Sequence, residues 1–270
     1  MSDARPSELW VCHLGTVEYR AAVAMQEQVR ARRQAGELPD VLLLLEHPPV
    51  FTRGRRSQAS ELPMGEAWYR SQGIDIVDSD RGGRLTYHGL GQLVGYSVMA
   101  IGDVIAYLRT MERSIIEALA EEGVRAQLRA GLTGVWVQES KIASIGVHVS
   151  RGVTTHGFAV NVENDLQPFS WVVPCGIPDV QMTSLTRERG ERAGLACFRR
   201  RMAHRFATAH GARQRLVSPA RLGLPGAPLA PARALPAASS SASARAHEDP
   251  RGQPPPGGPG SREHSLALPS

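Results

Sequence analysis

The hydrophobic and polar positions of the first 216 residues follow two periods, which predict two kinds of element. Alternating or continuous apolar runs predict strands at 9–14, 41–46, 74–78, 84–88, 92–99, 134–138, 142–149 and 154–162. Apolar residues at helical spacing predict helices at 17–34, 104–122 and about 190–210, with Asp103 placed to cap the second. Strands outnumber helices, and several follow one another through short turns. The pattern therefore favours an α/β (α+β) domain with a mixed β-sheet and flanking helices over a doubly wound parallel sheet.

This pattern stops near residue 216. Of the 54 residues in 217–270, 36 are Pro, Ala, Ser or Gly, and none is Phe, Trp or Tyr. Such a segment cannot bury enough apolar area to offset its ordering entropy. We therefore expect a folded domain over 1–216, which must hold any active site, and a disordered tail over 217–270.

Composition and charge exclude several classes of protein. The 270-residue chain has 42% hydrophobic and 21% charged residues, and its net charge of +5 is modest for a nucleic-acid-binding protein. Three cysteines, an odd number, argue against a disulfide framework. The N-terminus lacks the apolar core of a signal peptide, and no apolar run approaches the roughly 20 residues of a membrane helix. We expect a soluble, cytoplasmic protein that binds neither nucleic acid nor membrane.

The first candidate site is a glycine-rich run, RGGRLTYHGLGQLVGY, at 81–96. Its glycines let the backbone approach a ligand closely, and polar groups come from Arg81, Arg84, Tyr87, His88 and Gln92. The spacing matches neither a Walker loop nor the dinucleotide-binding fingerprint G-x-G-x-x-G. The alternative interpretation is a pair of tight hairpin turns on a sheet.

The candidate nucleophile is Cys175, in the segment VPCGIP. The flanking prolines and glycine predict a constrained loop, in which a thiol is more accessible than in a core. Cys12 and Cys197 instead lie among apolar residues of a predicted strand and a predicted helix, which is typical of small buried hydrophobes. The chain has no C-x-x-C or H-E-x-x-H spacing, so no metal site is expected.

Lys141 is the only lysine among 31 basic residues, the other 30 being arginine. A lysine at the head of a strand is ordinarily an exposed edge charge. Its presence in so arginine-rich a chain indicates a task that arginine cannot do, since only the lysine amine can take up and return a proton. A neighbouring ammonium would also favour a thiolate at Cys175, because a free thiol with a pKa of ~8.5 is only a few per cent ionised at neutral pH.

Four segments together resemble the lipoyl(octanoyl) transferases, which move an octanoyl group from acyl carrier protein to a lipoyl domain. They are the run at 81–96, KIASIGVHVSRGVTTHGFAVNV at 141–162, NDLQPFSWVVPCGI at 164–177 and MTSL at 182–185. The resemblance covers about residues 9–210. It departs from the family's Y-H-G-P-G-Q at Leu90, where the lost proline is expected to loosen a turn.

The resemblance implies the fold of the biotin/lipoate ligase catalytic domain and an octanoyltransferase that uses no cofactor. Cys175 would carry the acyl group, octanoyl or lipoyl, as a thioester, and Lys141 would lower the pKa of its thiol. The donor would be octanoyl-acyl carrier protein, and the acceptors would be lipoyl domains of 2-oxoacid dehydrogenase complexes and the glycine cleavage H protein. The residues expected to bind the acyl substrate are Arg81, Gly82, Gly83, Arg84, Leu85, Thr86, Tyr87, His88, Ser144, Ile145, Gly146, Gly157, Phe158 and Ala159.

Alternatives remain for the acceptor base, the docking surface and the activity. Lys141, His88 or His156 could take the proton of the acceptor amine. Acidic partners could dock on exposed arginines, or these could form solvated faces; the candidates are Arg53, Arg55, Arg56, Arg199, Arg200, Arg201 and Arg205. The rival activities are an ATP-dependent lipoate or biotin ligase, a cysteine hydrolase and a non-catalytic acyl-binding module.

Overall fold

The computed structural model describes residues 7–173 and 180–225. The strands are β1 (Ser7–Thr16), β2 (Asp40–Glu46), β3 (Val50–Arg53), β4 (Asp75–Asp78), β5 (Thr86–His88), β6 (Gln92–Val98), β7 (Gln127–Arg129), β8 (Leu132–Val137), β9 (Ser140–Ser150), β10 (Val153–Asn161) and β11 (Ala212–Leu216). The helices are α1 (Tyr19–Gln34), α2 (Glu66–Ser71), α3 (Val104–Ala120), α4 (Leu185–Arg189) and α5 (Leu195–Ala209).

Eight strands form a large mixed sheet in the order β11-β1-β2-β6-β10-β9-β8-β7. The first three of these strands run parallel, and the others pair antiparallel. A second sheet has the order β4-β3-β5. The mixed sheet with flanking helices confirms the predicted fold class.

Alternate residues of the central strands enter two different cores. Leu9 and Val11 of β1 pack with residues of α3 and α5, whereas Trp10 and Cys12 pack with residues of α1. Because successive side chains of a strand point to opposite faces, helices cover both faces of the large sheet. A third core, around Phe51 and other aromatic side chains, belongs to the small sheet.

Some element boundaries differ from those predicted. The third long helix begins at Leu195, not near residue 190, because Gly190 adopts a left-handed conformation (φ 71°) that ends α4. Strand β11, with the sequence ARQRL, was not predicted, since an edge strand with polar side chains lacks an apolar alternation. The expected cap is confirmed, because Asp103 accepts hydrogen bonds from the first backbone N–H groups of α3.

The folded part continues past the expected boundary at residue 216. Residues Pro219–Leu222 form a short 3-10 helix, and the side chains of Leu222 and Leu224 are buried in the core beneath α1. The boundary expected at residue 216 therefore moves to at least Pro225, because Leu222 and Leu224 join the domain core. The remainder of the expected tail lies outside the described residues.

Two further findings concern the cysteines and membranes. Cys12 is buried, and burial raises the pKa of its thiol to about 11. Cys197 is exposed, contrary to expectation, because it lies on the outer face of α5 while its neighbour Phe198 points inward. Within the described residues, no helix is long and apolar enough to cross a membrane.

Candidate active site

A cavity of about 480 Å³ lies between the glycine-rich segment and strands β9 and β10. Lys141 lines it together with twelve of the fourteen residues expected to bind the acyl substrate. These twelve are Arg81, Gly82, Gly83, Arg84, Thr86, His88, Ser144, Ile145, Gly146, Gly157, Phe158 and Ala159. The structure therefore brings three separate stretches of the sequence into one site.

Leu85 and Tyr87 do not line this cavity. Both are buried in the core of the small sheet, where the ring of Tyr87 lies 5.4 Å from that of Phe51. The reason is the period of an extended chain, which directs Arg84, Thr86 and His88 to one side and the two residues between them to the other. Their assignment to the substrate site is corrected accordingly.

Arg81 fixes the glycine-rich segment to the small sheet. Its Nη2 donates hydrogen bonds to the carbonyl oxygen and the hydroxyl of Thr52, at 2.7 and 2.8 Å. The backbone N–H of Gly82 donates to the carbonyl oxygen of Val147 at 3.0 Å, which holds the same segment against β9. The segment thus forms one wall of the cavity and is bound at both sides.

Gly146 makes that close approach between segment and strand possible. A β-carbon at this position would lie 2.7 Å from the carbonyl oxygen of Gly82, closer than real β-carbons come to backbone oxygen. Gly146 pairs with Gly157 of β10, where a β-carbon would lie 2.3 Å from the carbonyl oxygen of Gly95. Any residue larger than glycine at position 146 or 157 would therefore force the neighbouring backbone to shift.

Lys141 is the second residue of β9, so it lies within the strand and not in the turn before it. Its side chain is buried, with 3% of the residue exposed. The Nζ atom lies 5.5 Å from the centre of the Trp136 ring, within the range of a cation–π contact. The structure therefore holds the only lysine of the sequence inside the cavity, not at an exposed edge.

Cys175 lies outside the described residues, but both neighbouring segments are anchored beside the cavity. On the N-terminal side, the N–H of Val173 donates to the carbonyl oxygen of Glu61, whose carboxylate accepts a hydrogen bond from Arg84. On the C-terminal side, the N–H of Lys141 donates to the carbonyl oxygen of Gln181 at 2.8 Å. One of these anchors is thus the backbone of Lys141 itself.

At the other end of the cavity lie aromatic and imidazole rings of Tyr19, His88, Tyr96 and His156. Burial lowers the pKa of His88 well below its ordinary value, and its Nδ1 lies 2.7 Å from the amide oxygen of Gln92. His156 bonds through Nε2 to the carboxylate of Asp80 at 2.7 Å, and this contact, more than any other, lowers the pKa of Asp80.

His156 and Lys141 are far apart along the sheet. His156 pairs with Val147, which is six residues after Lys141 on β9. At a rise of about 3.3 Å per residue, the backbone positions of Lys141 and Val147 are ~20 Å apart along the strand. The cavity is therefore elongated, with an ionisable amine at one end and hydrogen-bonded rings at the other.

The turn at Leu90 is closed despite the missing proline. The N–H of Gln92 donates to the carbonyl oxygen of Gly89, and the N–H of Gly91 donates to the carboxylate of Glu46 at 2.8 Å. The amide of Gln92 also donates to Asn161 of β10. Side-chain hydrogen bonds thus fix the turn where proline would otherwise restrict it.

The candidate docking arginines fall into three groups, of which the last, Arg199 and Arg200 on α5, forms no ion pair within the described residues and does not line the cavity. Arg53 pairs with Asp78 and Glu66, and the arginines at 201 and 205 pair with glutamates at the end of α3 and just beyond it. Arg55 and Arg56 are exposed, and within the described parts of the chain neither forms an ion pair; Arg56 also lines the cavity. Only the second group, Arg55 and Arg56, combines an exposed charge that is not ion-paired among the described residues with proximity to the cavity.

Several lining residues were not predicted. Six of them, Tyr19, Val104, Leu108, Gly131, Leu132 and Thr133, lie outside the segments that had been singled out. Tyr96 and Val147 lie within the segments 81–96 and 141–162, and Arg56 had been named only as a docking candidate. Tyr19 begins a helix, and its position carries no local signal of ligand binding. In the described ranges, no group of three or more His, Cys, Asp or Glu side chains could hold a metal ion.

Comparison with known proteins agrees with this architecture. Residues 18–207 match the model of the lipoyl protein ligase A/B catalytic domain. Octanoyltransferases of Rubrobacter xylanophilus and Geobacter metallireducens are 45% and 46% identical over 196 and 197 residues, covering 71% and 72% of this chain and 89% of each relative. A putative lipoate protein ligase of Thermoplasma acidophilum, solved with bound lipoic acid, shares the fold, with a TM-score of 0.65 at 20% identity, covering 78% of this chain and 89% of that one. The chain therefore belongs to the lipoyl protein ligase A/B catalytic-domain family.

Proposed function

We propose that this protein is an acyltransferase that moves an octanoyl or lipoyl group through a thioester on Cys175. The observation that carries the proposal is the elongated cavity with Lys141 buried at one end, beside the anchor of the segment that contains Cys175. The activity is the one for which the relatives of about 45% identity are named. This transfer is the first step of protein lipoylation when the acyl group is made by the cell itself.

The Cys175 thiolate is the proposed nucleophile, and Lys141 the group that stabilises it. Cys175 precedes Gln181 by six residues, and Gln181 is hydrogen-bonded to the backbone of Lys141. Six extended residues span at most about 20 Å, so the sulfur is within reach of the amine. An ammonium beside the sulfur favours the thiolate, which is the reactive form.

The proposed acyl slot runs along β9 and β10 from Lys141 towards His156. Ile145, Val147 and Phe158 give it apolar walls. An octanoyl chain has seven carbon–carbon bonds and covers about two to three extended residues, since each residue advances roughly 3.3 Å. The slot is thus longer than the chain, and with the thioester end beside Lys141 the chain end reaches about as far as Ser144.

In the second step, the lysine amine of an acceptor domain attacks the thioester and must lose a proton. Lys141 is the best placed to take it, since it lies at the reacting end of the cavity. His156 lies near the opposite end, and His88 is buried with Nδ1 beside the Gln92 amide. We therefore assign both proton transfers to Lys141. It gives a proton to the thiol of the departing carrier in the first step, and it takes the proton of the acceptor amine in the second.

The proposed donor is octanoyl-acyl carrier protein, and the proposed acceptors are lipoyl domains of 2-oxoacid dehydrogenase complexes and the glycine cleavage H protein. The exposed Arg55 and Arg56 supply positive charge beside the cavity for acidic partners. A thioester replaces a thioester in the first step, so this reaction needs no nucleotide.

Intact-mass spectrometry tests the proposal. The purified protein is incubated with octanoyl-acyl carrier protein in the absence of ATP, and a lipoyl domain is then added. We expect an octanoyl adduct on the wild type that disappears as the lipoyl domain gains the same mass, and no adduct on Cys175→Ser. Cys197→Ser serves as the matched control and should be acylated normally, since Cys197 is exposed on α5.

Two results would overturn the proposal. An undiminished adduct on Cys175→Ser would exclude the thioester at this position. Transfer that occurs only when ATP is present would instead indicate a ligase that forms an acyl-adenylate.

A further inference from the structure

Glu112 is a buried carboxylate that the proposed mechanism does not use. It lies on α3 with 1% of the residue exposed. Its Oε2 accepts a hydrogen bond from Arg109 at 2.7 Å, and its Oε1 accepts one from the backbone N–H of Gly134 at 3.1 Å. Because burying a carboxylate costs free energy unless it is hydrogen-bonded, its contact with Gly134 marks a position where the backbone is fixed.

Gly134, in β8, lies against the side chain of Lys141. Its φ of 120° is in the region that favours glycine. A β-carbon there would lie 2.6 Å from the carbonyl oxygen of Ala143 and 2.8 Å from Cε of Lys141. The Lys141 side chain therefore crosses the space that any larger residue at 134 would fill.

A β-bulge lies at the same place. Val135 pairs with Ala143, but the next residue, Trp136, pairs with Lys141, so β9 has one extra residue, Ile142. Bulges change the direction of the side chains beside them and are frequent next to active sites. The direction of Lys141 thus depends on the local backbone of β8, which Glu112 holds from the helix side.

We propose that Glu112 is a positioning residue for Lys141. The carboxylate of Glu112 holds the N–H of Gly134, and Gly134 keeps open the path along which the Lys141 amine reaches the cavity. This inference rests on the proposed role of Lys141. It gives helix α3 a role in the reaction that acts through Lys141 and does not require the helix to contact the substrate.

The test is the pH dependence of Cys175 alkylation by iodoacetamide, followed by mass spectrometry, in full-length variants. Glu112→Met keeps the volume but removes the acceptor for Gly134. We expect the alkylation midpoint to move to higher pH, towards the value of Lys141→Ala, and acyl-enzyme formation to slow about tenfold or more, since small displacements of a catalytic group are costly. Glu112→Gln keeps an oxygen acceptor and should stay within about threefold of wild type.

Arg109→Gln is the matched control, because it removes the ion pair on α3 and leaves the Glu112–Gly134 contact in place. We expect it to leave the midpoint unchanged. If Arg109→Gln shifts the midpoint as much as Glu112→Met does, the effect belongs to the ion pair and the inference is wrong. If Glu112→Met does not fold, Glu112→Asp decides, because its shorter side chain withdraws the acceptor while keeping the charge.

A double variant separates positioning from general stability. If Glu112 acts through Lys141, Glu112→Met should cost little more than about twofold in a Lys141→Ala background. A full multiplicative loss there would overturn the inference. If Lys141→Ala shifts the midpoint and Glu112→Met does not, only the role of Glu112 is refuted. If Lys141→Ala itself has no effect, the Cys–Lys pair and this inference are refuted together.

Discussion

The two ends of the cavity differ in how the structure treats ionisable groups. At one end, Lys141 is buried beside the ring of Trp136 and beside a glycine that makes room for it. At the other end, His88 and its neighbour His47 are buried in hydrogen bonds, and burial lowers the pKa of each ring. One end thus holds the group to which we assign proton exchange, whereas at the other end burial disfavours a charge on the rings of His47 and His88.

This contrast teaches that residue type alone does not identify a catalytic base. Histidine is the usual base near neutral pH, and the cavity has two histidines in its wall. Both are held by partners at the end remote from Lys141. The assignment of proton transfer to lysine thus follows from position in the fold.

The largest expected effect is at the reactive end. Lys141→Ala should lower octanoyl transfer by about 100-fold or more, the usual contribution of a positioned acid or base. Lys141→Arg should retain part of the acyl-enzyme formation, because it keeps the charge, but lose most transfer to the lipoyl domain. Steady-state transfer assays and single-turnover acylation measure the two steps. Wild-type activity in Lys141→Arg would show that proton exchange at this position is dispensable.

The next effect concerns the remote end and appears in stability. The pKa of His47 is lowered to about 4 because the ring is buried, whereas an unfolded histidine titrates near ~6.5. Below the unfolded pKa, His47 binds a proton in the unfolded chain but not in the folded one. The free energy of unfolding therefore decreases as pH falls from about 6.5 to 4. The loss from this residue is roughly 3 kcal/mol.

Urea denaturation across this pH range measures the loss. In His47→Gln, the fall in unfolding free energy between these pH values should be smaller than in the wild type, whatever the stability of the variant at neutral pH. An unchanged slope would mean that the buried ring does not titrate as described.

A smaller effect is expected from the wall between the two ends. Gly146→Ala should weaken use of the octanoyl donor by about tenfold, because the new β-carbon meets the carbonyl oxygen of Gly82 and displaces the wall. The matched control is Gly102→Ala, where nothing lies within 4 Å of the added carbon. Steady-state kinetics of both variants test this. Equal behaviour of the two variants would contradict the close packing of the glycine-rich segment on β9.

The smallest effect is expected from the two exposed arginines at and beside the cavity wall. Replacing Arg55 and Arg56 by glutamine should lower kcat/KM for the protein donor by about threefold at low salt, and the difference should vanish as salt screens the charges. Arg213→Gln is the control, on the edge strand β11. A salt-independent loss would indicate that these arginines act on the structure of the segment and not on docking.

The sequence was most informative where a motif occupies one continuous stretch. The run 81–88 and the two three-residue stretches 144–146 and 157–159 reach the cavity as expected, apart from Leu85 and Tyr87. Those two were included because a motif does not distinguish the two faces of a strand. Strand alternation would have separated them.

The residues that could not be predicted come from distant segments. Tyr19 and Leu108 reach the cavity from the starts of α1 and α3, and their place depends on how helices pack on the sheet. The buried Glu112 has no local signal, since an acidic residue in a helix is usually solvated. Leu222 shows the same limit, because a leucine in a proline-rich stretch gives no sign that it completes a core.

The most direct test of the account is an experimental structure of the protein loaded with octanoyl on its thiol. The account predicts that Sγ of Cys175 lies within about 4 Å of Nζ of Lys141, the range over which an ammonium stabilises a thiolate. It also predicts that the acyl chain runs along Ile145 and Phe158 towards His156. A sulfur that faces away from the cavity, or an acyl chain bound elsewhere, would contradict it.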